Sequence, residues 1–248
     1  TGAGARVAVL DTGIWYLHPD LMGNIDYAAS ASFVPYEPDY IDGDGHGTHV
    51  AGIIAAADND WGSIGVAPDA TLIAVKVLDN TGAGSFYWIT QGIYHAVMQD
   101  ADVINMSLRG YLLKSGVPGD YTAADANALK NLVKKAVTWA SNQGSLVVYA
   151  AGNEAVNLNK LQNIVMIPGE LGNGLCISAT GPIGLQILSE PPDNLKGVLL
   201  VATFARHPTP FFLDAGLYLP QKLILNLFTK TLLGRFFCLG GAPSEAVN

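Results

Sequence analysis

Apolar and polar positions along the first 195 residues alternate between two rhythms. "ARVAVLD" (5–11) is a short, wholly apolar run ending in a carboxylate, the pattern of a strand buried on both faces. "TLIAVKVLD" (71–79), "DVINMSL" (102–108) and "SLVVYAAGN" (145–153) repeat it. Between them lie stretches of helical character: 47–57, "SFYWITQGIYHAVMQDA" (85–101) and "AADANALKNLVKKAVTWASNQG" (123–144). The last closes on Gly144, a residue suited to stopping a helix. Strands alternating with helices predict an α/β fold of three layers, a doubly wound parallel sheet covered on both faces by right-handed crossovers. In such sheets the working residues gather beyond the carboxyl ends of the strands. Asp11, Ser107 and Asn153 each fall at such an end.

The pattern changes near residue 195. Residues 1–195 hold eight Lys/Arg and nineteen Asp/Glu, a net charge of −11, whereas residues 196–248 hold five and two, a net charge of +3. Six of the eight phenylalanines fall in the second part. We therefore expect two regions: 1–195, one α/β domain, and 196–248, an atypical basic, Phe-rich C-terminal tail of foreign or frameshifted origin. Fifty-three residues without a staple are few for an independent core.

Composition narrows the class. A chain of 248 residues with half its residues hydrophobic and 14% charged can bury a full core. The net charge of −8 argues against a nucleic-acid surface. Two cysteines, Cys176 and Cys238, make no disulfide framework. No apolar run reaches about 18 residues without a charge, so no membrane span is expected. No signal peptide opens the chain, which reads as a mature segment or a fragment.

The candidate chemistry centres on "GDGHGTHVAG" (43–52). His46 opens a helix whose first turn is built of small residues, where a backbone or substrate can approach closely. Asp11 ends a buried strand on the same edge of the sheet. The two could pair, the carboxylate fixing the imidazole tautomer and stabilising the imidazolium. Asn153 offers an amide donor suited to an oxyanion hole. Taken singly, Asp11 also suits a turn, and Asn153 a left-handed turn after glycine. A zinc site on His46, His49 and Asp11 lacks a further ligand and the spacing of a metal-binding helix. His49 is expected to pack or hydrogen-bond locally, His18 to sit in a turn, and His95 to be structural; His207 is given no role. A nucleotide-binding α/β reading fails because "DTGIWYLHPD" is no glycine-rich phosphate loop.

Several blocks occur together and in order: "VAVLDTGI", "GHGTHVAGIIAA", "GVAPDATLIAVKVLD", "VINMSL", "VVYAAGNE" and "ISATGP". Over roughly residues 3–194 they resemble the subtilisin-like serine peptidases. The resemblance implies a serine endopeptidase acting on a peptide or protein substrate, with Asp11 as triad acid, His46 as general base and Asn153 as oxyanion donor. It also implies that Ser107, Leu108 and Gly110 offer a backbone edge to an extended peptide; Arg109 departs from the glycine common there. The family's calcium site would draw on Asp20 of "HPDL", Asn59, and carbonyls near Ala57, Trp61 and Ser63. An extracellular setting and a monomer follow by resemblance.

One part is missing. Acyl transfer needs a serine at a helix start facing the histidine, and the family carries it in "GTSMA" or a close variant. Residues 1–248 contain no such motif. After Asn153 the serines are Ser178, in an apparent strand, Ser189, in the turn "LSEPPDN", and Ser244. Ser244, in "GAPSEAVN", is the candidate nucleophile, yet the four residues after it cannot build the helix that should orient it. The expectation is a peptidase domain whose nucleophile segment has been lost or altered; the alternative is a non-catalytic peptide-binding relative.

Overall fold

The computed structural model describes residues 1–153 and 163–177. Thr1–Ala151 and the described residues up to Cys176 form one compact unit, built on a six-stranded sheet. Its strands are β1 (Arg6–Asp11), β2 (Ala31–Ser32), β3 (Thr71–Lys76), β4 (Val103–Met106), β8 (Leu146–Ala150) and β10 (Leu175–Ile177), in the order β10-β8-β4-β1-β3-β2. β1 pairs in parallel with both β3 and β4, β2 with β3, and β4 with β8. Among the described residues three helices complete the layers: α1 (His46–Ala55), α2 (Phe86–Met98) and α3 (Ala123–Asn142).

Strand alternation sorts the core into two sides. Ala8 and Leu10 of β1, with Ile73 and Val75 of β3, pack against Ile93 of α2 and Val133 of α3. Val7 and Val9, with Leu72 and Ala74, pack against Ala51 and Ala55 of α1. The sheet is thus covered on both faces, as the alternating pattern predicts. After β1 the chain winds to β3 on one side, then crosses to β4 on the other, so the direction of winding reverses at β1. That reversal places the crevice of a doubly wound sheet at the carboxyl end of β1.

Parity dictates what faces α1 there. Asp11 follows Val7 and Val9, and Lys76 follows Leu72 and Ala74, so both point to the α1 side. They are register partners, and both are fully buried. Lys76 Nζ donates to the Thr12 carbonyl at 2.5 Å and to Asn80 Oδ1 at 3.0 Å, and pairs with Glu37 at 3.0 Å.

The elements are shorter than their apolar runs. β3 stops at Lys76 because the N–H groups of Val77 and Leu78 both turn onto the Asp11 carbonyl, at 2.9 and 3.1 Å. β8 stops at Ala150, two residues before Gly152 with its φ of 103°. α3 begins with a capping box between Thr122 and Asp125 and ends before Gly144, whose φ is 101°. Beside the main sheet lie two antiparallel pairs, β5 (Gly110–Leu113) with β9 (Ile164–Ile167), and β6 (Gly116–Val117) with β7 (Tyr121–Thr122). Among the described residues no helix is long and apolar enough to cross a membrane.

Candidate active site

The carboxyl end of β1 and the start of α1 bring two of the expected residues together. His46 Nδ1 lies 2.7 Å from Asp11 Oδ1. Asp11 Oδ1 also accepts the Thr12 N–H at 2.8 Å, while Oδ2 is buried without a hydrogen-bond partner among the described residues. A buried carboxylate is costly unless a charge or donors answer it. Here the answering group is an imidazole with 48% of its side chain exposed. With the Nδ1 proton committed to Asp11, the second ring nitrogen is left as the basic one. The hydrogen bond to Asp11 raises the His46 pKa above its ordinary value; partial burial opposes this, and the charges of Asp11, Asp44 and Asp42 add to it.

Close approach of α1 to β1 depends on glycine. A Cβ on Gly47 would meet the Gly13 carbonyl oxygen at 2.1 Å and the Asp11 Cβ at 3.1 Å. The helix also lacks a side chain at its own cap, Gly45, with φ 104°. Its first N–H groups are taken by other residues: His46 by Asp44, Gly47 by Thr12 and Thr48 by Asp42. Burial opposes ionisation of Asp42, but hydrogen bonds from Gly45, Thr48 and Thr12 outweigh it and hold the carboxyl below the usual range. Sequence reasoning missed Thr12, Asp42 and Lys76 as parts of this site. The one available signal was "DGDGH" itself, where aspartates alternate with glycines just ahead of a helix start.

The other expected residues are placed as follows. Ser107 lies just past β4, its hydroxyl accepting from Asn105 Nδ2 at 3.0 Å. Leu108 is 6% exposed and belongs to the core, so its side chain does not line an open surface. Gly110 opens β5, one edge of which pairs with β9 at Ile167. Arg109 donates to the Tyr111 hydroxyl at 2.7 Å and lies over its ring. Asn153 is exposed, three residues past β8. His49 is exposed on α1 rather than packed, because the helix buries Gly47, Ala51 and Ala55 instead. His18 joins two turns, its N–H donating to the Trp15 carbonyl and its own carbonyl accepting from Leu21, both at 2.9 Å, and His95 reaches the Ala29 carbonyl at 2.8 Å. Ser178, Ser189, Ser244, His207 and the composition break at 195 lie outside the described residues.

Asp20 is 3% exposed and accepts from Asn59 Nδ2 at 3.3 Å and from the Ser63 N–H at 3.0 Å. Gly62, with φ 64°, lets the loop close on it: a Cβ there would sit 2.1 Å from Asp20 Oδ2. Among the described residues, no group of three or more His, Cys, Asp or Glu could hold a metal ion.

Comparison with known proteins points to one family. The family model described as the subtilase family matches residues 2–200. Subtilisin E of Bacillus subtilis (strain 168) is 48% identical over 155 residues, which cover 62% of this chain and 35% of that protein. The chain thus spans about a third of that relative's length. Subtilisin Savinase of Lederbergia lenta is 42% identical over 238 residues, 90% of this chain and 78% of that protein, a match that reaches past residue 195. Among solved structures, the nisin leader peptidase of Lactococcus lactis superposes with a TM-score of 0.61 at 24% identity, over 71% of this chain and 60% of that one, a likeness of fold. A lanthipeptide protease gives a TM-score of 0.59 at 29% identity, over 69% of this chain and 47% of that one. A parallel sheet with Asp11 and His46 paired at its carboxyl edge, and a family match over most of its length, make this chain a member of the subtilase family.

Proposed function

We propose that this chain is a serine endopeptidase domain by descent in which Asp11 and His46 form a working acid–base pair, but whose nucleophile segment has been altered, so that residues 1–248 alone do not carry out acyl transfer. The observation that carries the first part is the 2.7 Å contact between a fully buried carboxylate and a half-exposed histidine. In that arrangement His46 takes a proton from an attacking hydroxyl or water, and Asp11 stabilises the imidazolium that forms. Asn153 is the proposed oxyanion donor. Ser107, Leu108 and Gly110 supply the backbone along which an extended peptide would lie. The same reading makes the setting extracellular and the working form a monomer. The absence of a Gly-Thr-Ser motif supports the second part.

A serine-reactive fluorophosphonate probe tests the reading. The chain is expected to take up no label while still binding peptides through the site. A stoichiometric adduct on one serine that depends on His46 would overturn the altered-nucleophile part and identify the nucleophile. The gene supplies a second check: a "GTS" stretch in another reading frame downstream of residue 195 supports a frame shift as the cause.

We further propose that Asp20 and Asn59 hold a structural calcium ion. Asp20 is a buried carboxylate answered only by neutral donors, with no basic partner among the described ion pairs. A hard cation taking oxygen ligands suits such a group. Calcium at 100 times its dissociation constant should stabilise the fold by about 2.7 kcal/mol relative to chelator, read as a rise in melting temperature. Equal melting temperatures with saturating calcium and with chelator would remove the site.

A further inference from the structure

We propose that Asp42 is a positioning residue for the Asp11–His46 pair, acting through Thr12 and Thr48 on the first turn of α1. This rests on the reading of Asp11 and His46 as an acid–base pair.

One carboxylate gathers five donors. Asp42 Oδ1 accepts from the Thr12 hydroxyl at 2.9 Å, the Asp44 N–H at 3.0 Å and the Gly45 N–H at 2.9 Å. Oδ2 accepts from the Thr48 N–H at 2.9 Å and the Thr48 hydroxyl at 2.6 Å. Each threonine hydroxyl has a single proton, and Asp42 takes both. Their lone pairs are thereby left facing other donors: Thr12 Oγ1 accepts the Gly47 N–H at 2.9 Å, and Thr48 Oγ1 accepts the Trp15 N–H at 2.8 Å.

The sequence neighbours make this a positioning device. Thr12 follows Asp11, and Gly47 follows His46. The two reacting residues are therefore tied directly, and again one residue further on through Thr12 and Gly47. The Thr48–Trp15 contact ties the same two segments a third time. All the oriented hydroxyls depend on a group that only accepts. An asparagine at 42 presents one oxygen and one NH2, and either orientation turns the NH2 toward N–H or O–H donors. The register of α1 against β1 would then loosen, and a shift of about 1 Å is enough to spoil an acid–base contact.

The proton on His46 Nδ1 reports that contact without requiring activity. In the full 248-residue chain it should give a far-downfield, exchange-protected proton resonance that disappears in His46→Ala. Asp42→Asn should lose the signal or raise its exchange rate at least about tenfold, as expected of a loosened hydrogen bond. Thr12→Val should do the same, and Thr12→Ser should restore it. Asp44→Asn removes a nearby charge but keeps an oxygen for the His46 N–H, and should retain the signal. Should Asp42→Asn fail to fold, the near-isosteric Thr12→Val carries the test. Folded Asp42→Asn or Thr12→Val chains with the wild-type signal and exchange rate would overturn the inference. A wild-type chain with no such signal would overturn the acid–base reading, and this inference with it.

Discussion

Peptide hydrolysis by the 248-residue chain should not exceed the residual level of a triad without its nucleophile, and Ser244→Ala should leave that level unchanged. Serine peptidases stripped of one triad member retain roughly 10³–10⁴-fold catalysis over water, having lost about 10⁶ in turnover when the serine is the one removed. What remains comes from the oxyanion donors and from substrate binding. On the proposed loss of the nucleophile, His46 would still activate a water, but no acyl-enzyme would form. A fluorogenic peptide assay at high enzyme concentration reads the difference, since the gap between floor and full activity spans several powers of ten. Vigorous hydrolysis abolished by Ser244→Ala would place the nucleophile in "GAPSEAVN" and reverse our reading of residues 196–248.

Gly47→Ala should destabilise the fold by about 1–3 kcal/mol and break the Asp11–His46 contact. Helix propensity alone gives the opposite sign, since alanine is favoured over glycine inside a helix by about 1 kcal/mol. The clash decides. The added methyl meets the Gly13 carbonyl at 2.1 Å, and backbone cannot swing aside as the end of a flexible side chain can. α1 must therefore lift from β1, taking His46 with it. Gly52→Ala is the internal control, because nothing lies within 4 Å of its added Cβ. In urea denaturation it should gain about 0.5–1 kcal/mol. Two glycine-to-alanine changes on one helix are thus expected to move stability in opposite directions. Equal shifts in the same direction would show that α1 is not seated against β1 as described.

Four strands of the main sheet, β1, β3, β4 and β8, were legible as short apolar runs, and "ARVAVLD" can be little else; β2, only two residues long, was not. α1 was legible from its small residues and α3 from its length and its glycine stop. Strand ends were less so. "VKVLD" reads as one run, but the turn of Val77 and Leu78 onto the Asp11 carbonyl is a contact made across 66 residues or more. The antiparallel pairs β5–β9 and β6–β7 went unseen, because two- to four-residue strands fall below the length at which alternation can be recognised. At the site, the pairing of Asp11 with His46 was legible from local motif. Their supports were not: Thr12 reaches Gly47 and Asp42 over gaps of 35 and 30 residues. Nor does the sequence mark Lys76 as fully buried, since its partners Thr12 and Glu37 lie in other segments.

The most direct test of the acid–base pair is the titration of His46 followed by NMR, in the wild-type chain and in Asp11→Asn. The Asp11 contact raises the His46 pKa, so the wild-type midpoint should lie above the unperturbed value of about 6.5. In Asp11→Asn it should fall, because the charge that favours the imidazolium is gone. Linkage fixes the sign of the stability change. A folded pKa above the unfolded one adds stability that is fully present below about pH 6.5 and is lost as pH rises through the folded midpoint. The stability gap between wild type and Asp11→Asn should therefore be widest at the acid end of that window and narrow above it. A His46 midpoint that is the same in both proteins would contradict the account.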